Sequence, residues 1–141
     1  MALYDSTNTN KTGRQNRLYK DIDMDFVRNT VTNDVNTVEN VIAVKRAVKN
    51  LIQTNFYERP FQPELGCGIR ELLFEPYSPL TAVFLKRKIS EVITNHEPRV
   101  RLEDISLDDD PDRNRLKVDL YFYVVGINEP QTVSTFLQRL R

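Results

Sequence analysis

A chain of 141 residues has room for one buried core and little more, and its 20 Lys and Arg set against 20 Asp and Glu give a formal net charge of zero. That balance excludes the one-signed surface on which phosphate-backbone binding depends; the densest basic run, Lys86-Arg87-Lys88, is followed by Glu91 and reads as a solvated helix face. The longest apolar runs, such as Val124-Val125-Gly126-Ile127, fall far short of the roughly 20 residues that span a bilayer, and Cys67 and His96, single residues of their kinds, supply neither an internal disulfide nor a closed zinc site.

Residues 1–17 hold few large apolar groups and no periodicity, so ordering them would cost backbone entropy without burial to offset it; they read as a flexible N-terminal arm ahead of a single domain over 18–141. The arm lacks the apolar core of a signal peptide, which implies assembly in the cytoplasm. From Ile22 to Phe26 apolar residues alternate with Asp23 and Asp25, the pattern of a short half-buried strand. After a turn at Thr32-Asn33-Asp34, Val41, Val44, Val48 and Leu51 recur at helical spacing and predict an amphipathic helix over 37–54.

Residues 55–79 hold four of the seven prolines and two of the four glycines, an irregular crossing with a short helix at 69–73. Phe56, Tyr57, Phe61, Leu65, Leu72, Phe74 and Tyr77 within it are expected to be buried, since so many large apolar groups are costly to leave in water. Ser78-Pro79 is a helix start: the hydroxyl can cap a free N–H, and proline has no N–H to leave unpaired at the first helical position. The helix runs to His96, with Leu85, Ile89, Val92 and His96 on one face. Leu80, Val83 and Phe84 lie off that face, so this end has apolar contacts on two sides, the second with either the proline-rich crossing or a partner.

Pro98 forbids continuation of the helix. Val100 and Leu102, then Ile105 and Leu107, predict a strand with a change of phase near Glu103-Asp104, as at a bulge. Leu116 to Val124 alternates as a clear second strand, joined to the first through the Asp108 to Asn114 turn residues. Thr132 to Phe136 favours a third strand, with a terminal helix at Leu137 to Leu140 as the competing reading. The whole is an α+β fold: two main helices packed on a small, mostly antiparallel sheet.

Candidate chemistry is sparse. Asp108, Asp109, Asp110 and Asp112 lack the glycine and closing glutamate of a calcium loop. Glu58, Glu64, Glu71, Glu75 and Glu97 could be paired for glycoside hydrolysis, but sequence does not place two of them across a cleft. No cofactor or metal is expected. More informative is Asn95-His96-Glu97-Pro98-Arg99-Val100, where a helix stops at a proline flanked by a carboxylate and a guanidinium. Read locally, both charges face outward as donors and acceptors for a partner.

That motif closes an ordered series with Glu58-Arg59-Pro60-Phe61, Gly66-Cys67-Gly68, Leu73-Phe74-Glu75-Pro76 and Ser78-Pro79-Leu80-Thr81. The series resembles the small baseplate wedge family of contractile phage tails, which also supplies a type VI secretion baseplate subunit and some of whose members were once labelled baseplate lysozymes. The resemblance implies a structural, non-catalytic subunit in a virion tail baseplate. Glu97, Pro98 and Arg99 would contact a helical bundle of larger wedge proteins, with Glu58, Arg59 and Phe61 also on the partner-binding surface. It further implies that the sheet accepts strands from the tail sheath protein and so initiates the sheath, with tail tube or hub proteins as further neighbours and neither nucleic acid nor membrane as a partner. The alternatives are a peptidoglycan hydrolase, or a secretion-system component or regulatory adaptor of the same fold. One departure stands out: Tyr57 precedes the Glu58-Arg59-Pro60-Phe61 stretch where relatives often have glycine, which puts the tight turn there in doubt.

Overall fold

The computed structural model describes residues 18–74 and 77–138, so the expected arm at 1–17 and the end of the chain at 139–141 lie outside the described residues. Eight elements follow in chain order: β1 (Lys20–Ile22), β2 (Thr37–Glu39), α1 (Asn40–Gln53), α2 (Ile69–Leu73), α3 (Pro79–His96), β3 (Val100–Asp110), β4 (Arg115–Val124) and β5 (Ile127–Gln138). β3, β4 and β5 form an antiparallel meander with β4 in the middle, and β1 pairs antiparallel with β2 as a separate ribbon. The α+β expectation is met.

Alternation in β4 builds the core. Leu116, Val118, Leu120, Phe122 and Val124 all point inward and are buried, because successive strand side chains face opposite sides of the sheet. Val133 and Leu137 of β5 extend the same face, with Thr135 between them. The Thr135 hydroxyl is satisfied there by Gln53 Nε2 at 3.3 Å, which ties the end of α1 to the sheet. Val44, Val48, Leu51 and Ile52 of α1 and Leu85, Ile89, Val92 and Ile93 of α3 cover this layer. The bulge in β3 falls between Leu102 and Asp104, as the change of phase predicts.

Local chemistry sets the boundaries. Ser78 caps α3 by accepting from the Thr81 N–H at 3.1 Å, with Pro79 in the first turn. The predicted first helix is shorter than its apolar spacing suggests, since residues 37–39 pair with β1. Asn40 then starts α1 in a left-handed conformation (φ 52°) that asparagine tolerates, and its side-chain oxygen accepts from the Leu18 N–H at 3.0 Å.

Two expectations are overturned, and at the C-terminal end the favoured strand is found over the competing helix. The strand foreseen at 22–26 ends at Ile22; Asp23 turns to meet Arg46, and Ile22, Met24 and Phe26 are each more than 60% exposed. In the crossing, Tyr57, Phe61 and Phe74 are exposed rather than buried, while Leu65, Leu72 and Tyr77 pack against the core that Cys67, Ile69 and Leu73 join. Leu137 and Gln138 continue β5 instead of entering a helix, since ladder pairing with Leu116 and Arg115 outweighs their helix propensity.

Candidate functional site

The corner between α3 and β3 departs from the outward-facing reading of its charges. Glu97 caps α3, its N–H still bonded to the Ile93 carbonyl at 2.9 Å, and the Val100 N–H returns to the Glu97 carbonyl at 3.1 Å. Residues 97–100 therefore form a β-turn with Pro98 at its second position, where a fixed φ is favourable. The first and third side chains of this turn meet. Arg99 Nε and Nη2 donate to the two Glu97 carboxylate oxygens at 2.6 and 2.8 Å, and Glu97 is only 6% exposed. Hydrogen bonding to Glu97, opposed in part by burial, raises the Arg99 pKa still further above its ordinary value.

Two residues unforeseen from sequence complete the corner. Asp21 of β1 accepts from Arg99 Nη1 at 3.2 Å, and the Tyr19 ring lies 5.6 Å from the guanidinium carbon. The Tyr19 hydroxyl donates to the Val125 carbonyl at 2.8 Å, fastening the N-terminal segment across the corner. No local signal reveals these contacts, because Asp21 and Arg99 are 78 residues apart.

Beside the corner opens a cleft of about 430 Å³, between the β1–β2 ribbon, α1 and the loop after α1. Ile22, Met24, Val38, Ala47, Leu51 and Leu65 give it apolar walls, and Glu97 and Arg59 both line it. Arg59 thus lines the same cleft as Glu97. Pro98 is exposed beside them, and Phe61 stands 97% exposed on the same loop as Arg59. Glu58 instead serves the loop itself: its carboxylate accepts from the Asn55 N–H at 3.0 Å and from the Asn55 side chain, which holds its pKa below the usual glutamate value. The turn in doubt at Tyr57 is present, with Tyr57 itself in the left-handed region at φ 65°.

The sheet offers a second feature. Among the described residues no strand pairs with the outer edges of β3 and β5. β3 is interrupted by its bulge, carries five acidic side chains, and has the Asp104 carboxylate accepting from the Ile105 N–H at 2.7 Å. Those features blunt an edge. In β5, residues 131–138 run in unbroken register with β4 and carry no charge.

An ion-paired corner, a cleft with apolar walls and, among the described residues, a sheet edge that no strand pairs with together mark an α+β subunit. Comparison with known sequences identifies the setting: the family described as baseplate wedge protein gp25 matches residues 38–129. The baseplate wedge protein gp25 of Enterobacteria phage T4 is 33% identical over 110 residues, covering 78% of this chain and 83% of the T4 protein. The chain belongs to the baseplate wedge protein gp25 family and is a structural subunit of a contractile-tail baseplate, with other baseplate proteins as its partners. Among solved structures, a Geobacter sulfurreducens protein provisionally described as a tail lysozyme superimposes with a TM-score of 0.67 at 20% identity, covering 71% of this chain and 91% of that one. A chain of the anti-feeding prophage baseplate gives 0.61 at 19% identity, covering 84% and 83%. These two likenesses concern the fold alone.

Proposed function

We propose that this chain is a non-catalytic docking subunit, in which residues 18–141 act as one domain that seats on a helical bundle of larger wedge proteins and initiates the sheath by strand addition. Docking uses the cleft and the exposed Pro98, Arg59 and Phe61 around it, while Glu97 and Arg99 keep the corner rigid rather than reaching out themselves. The observation that carries the reading is the edge of β5. An uncharged, unbulged strand margin of this length presents a row of backbone donors and acceptors that proteins ordinarily protect, and a strand from the sheath would satisfy them.

Peptidoglycan hydrolysis is the lesser reading. A general acid must have its pKa raised, whereas that of Glu58 is lowered, and both Glu97 oxygens are engaged by Arg99. Glu75 lies outside the described residues.

Lysines on the exposed positions Thr132 and Ser134 test the proposal, since charge on an edge discourages pairing. A Thr132→Lys, Ser134→Lys chain is expected to fold, to enter baseplates, and to leave them without sheath. Sheath of normal length on such baseplates would remove the strand-addition role.

A further inference from the structure

The cleft beside the corner carries ionic groups of both signs, but its carboxylates are already taken. Glu97 and Asp21 are held by Arg99, and Arg46 is held by Asp23 and Asp25 from the ribbon side. Of the charged or titratable side chains lining the cleft, Arg59 and His96 alone make no ion pair or side-chain hydrogen bond among the described residues. Among the described residues the uncommitted permanent charge of the cleft is therefore the Arg59 cation, with the Asn50 amide and His96 as further polar groups on its lining. Around it stands apolar surface that water now covers: Ile22 and Met24 are each 61% exposed on one wall, facing a cleft that Leu51 and Leu65 also line.

We propose that this cleft receives an acidic amphipathic segment of a partner protein, one apolar side chain seating against Met24 and Leu51 while a neighbouring carboxylate pairs with Arg59. The inference rests on the docking reading above and adds the chemistry of what docks. A guanidinium fork matches a carboxylate in two parallel hydrogen bonds, and the flanking apolar wall raises the worth of that pair by excluding water. The chain's own N-terminal arm is the wrong occupant by charge. Its only acid is Asp5 against Lys11, Arg14 and Arg17, so it would bring positive charge to Arg59. A phosphate-rich ligand is disfavoured by the apolar walls, which would desolvate its charge without compensation.

Selection of random displayed peptides on the immobilised full-length chain tests the chemistry without any baseplate present. The expected pool is rich in Asp or Glu adjoining Leu, Ile, Phe or Met. Its binding should fall about tenfold or more with Arg59→Glu or Met24→Asp, and by a smaller factor with Arg59→Lys, which keeps the charge but not the fork. Both residues are exposed, so each variant keeps the wild-type circular dichroism. A pool without acids, a pool that binds the Arg59→Glu chain equally well, or no selected pool at all would overturn the proposal. Baseplate incorporation separates this from the docking reading. If the selection fails while Met24→Asp still blocks incorporation, only the acidic-segment chemistry falls; if Met24→Asp chains enter baseplates at the wild-type level, docking at this cleft falls with it.

Discussion

Arg99 and Glu97, on either side of Pro98, grip each other through two hydrogen bonds of 2.6 and 2.8 Å, so the most distinctive tripeptide of the chain is spent on itself. A carboxylate that is 6% exposed tolerates burial only while its partner stays.

Removing that partner is therefore a stability change before it is a binding change. Arg99→Met is expected to destabilise the domain by about 2–3 kcal/mol, somewhat less than for a fully buried pair because part of the guanidinium reaches solvent. The Glu97→Gln, Arg99→Met double variant should recover part of the loss. Urea unfolding of the four proteins gives the coupling, and independent effects of the two substitutions would deny the pair its structural role.

The elements that sequence disclosed are those whose signal is local. The Ser78-Pro79 cap, the stop at Pro98, the strict alternation of Leu116 to Val124 and the change of phase at Glu103 each depend on a few neighbouring residues, and each reappears in the fold. What sequence concealed is decided at long range. Tyr19 and Asp21 reach the corner only because β1 pairs with β2 and Asn40 anchors the segment before it. Glu97 looked outward because a helix stop says nothing of the turn that follows. The exposed Phe61 and Tyr57 broke the rule that large apolar groups are buried, at the loop that also carries Arg59.

Acid should loosen the ribbon. The Arg46 side-chain hydrogen bond, helped by the Asp25 N–H at 3.2 Å, holds the Asp23 pKa below its ordinary 3.8. A depressed folded-state value means that the unfolded chain binds the proton more readily, so this stabilisation is full above about pH 4 and fades as pH falls through the folded pKa. The difference in melting temperature between wild type and Arg46→Met is expected to be constant from pH 5 to 7 and to shrink below about pH 4. A constant difference down to pH 2 would contradict the assignment.

Tyr57→Gly should stabilise the domain. At φ 65° a tyrosine carries the left-handed penalty of roughly 1–2 kcal/mol, while its ring, 84% exposed, contributes little packing. Glycine removes the strain at some entropic cost in the unfolded chain, leaving a gain of about 0.5–1 kcal/mol by chemical denaturation. A loss of stability would show that the ring makes contacts of consequence.

Cys67 is expected to be inert while the protein is folded. It is fully buried against the end of α1, its N–H bonded to the Thr54 carbonyl at 2.9 Å, and burial pushes the thiol pKa up to about 12. Thiolate is the reactive form, so alkylation by iodoacetamide at pH 8 should proceed only at the rate of unfolding and be complete in denaturant. Rapid labelling of the native chain would refute this.

The account depends most on β5 being an open edge that assembly closes. Along an antiparallel edge strand every second amide points away from the sheet, unpaired in the free chain. Hydrogen exchange by mass spectrometry on a peptide covering residues 131–138, compared between the free protein and intact tails, measures this directly. About half of those amides should exchange at once in the free chain and become slow in tails. Equal exchange in the two states would contradict strand addition at β5.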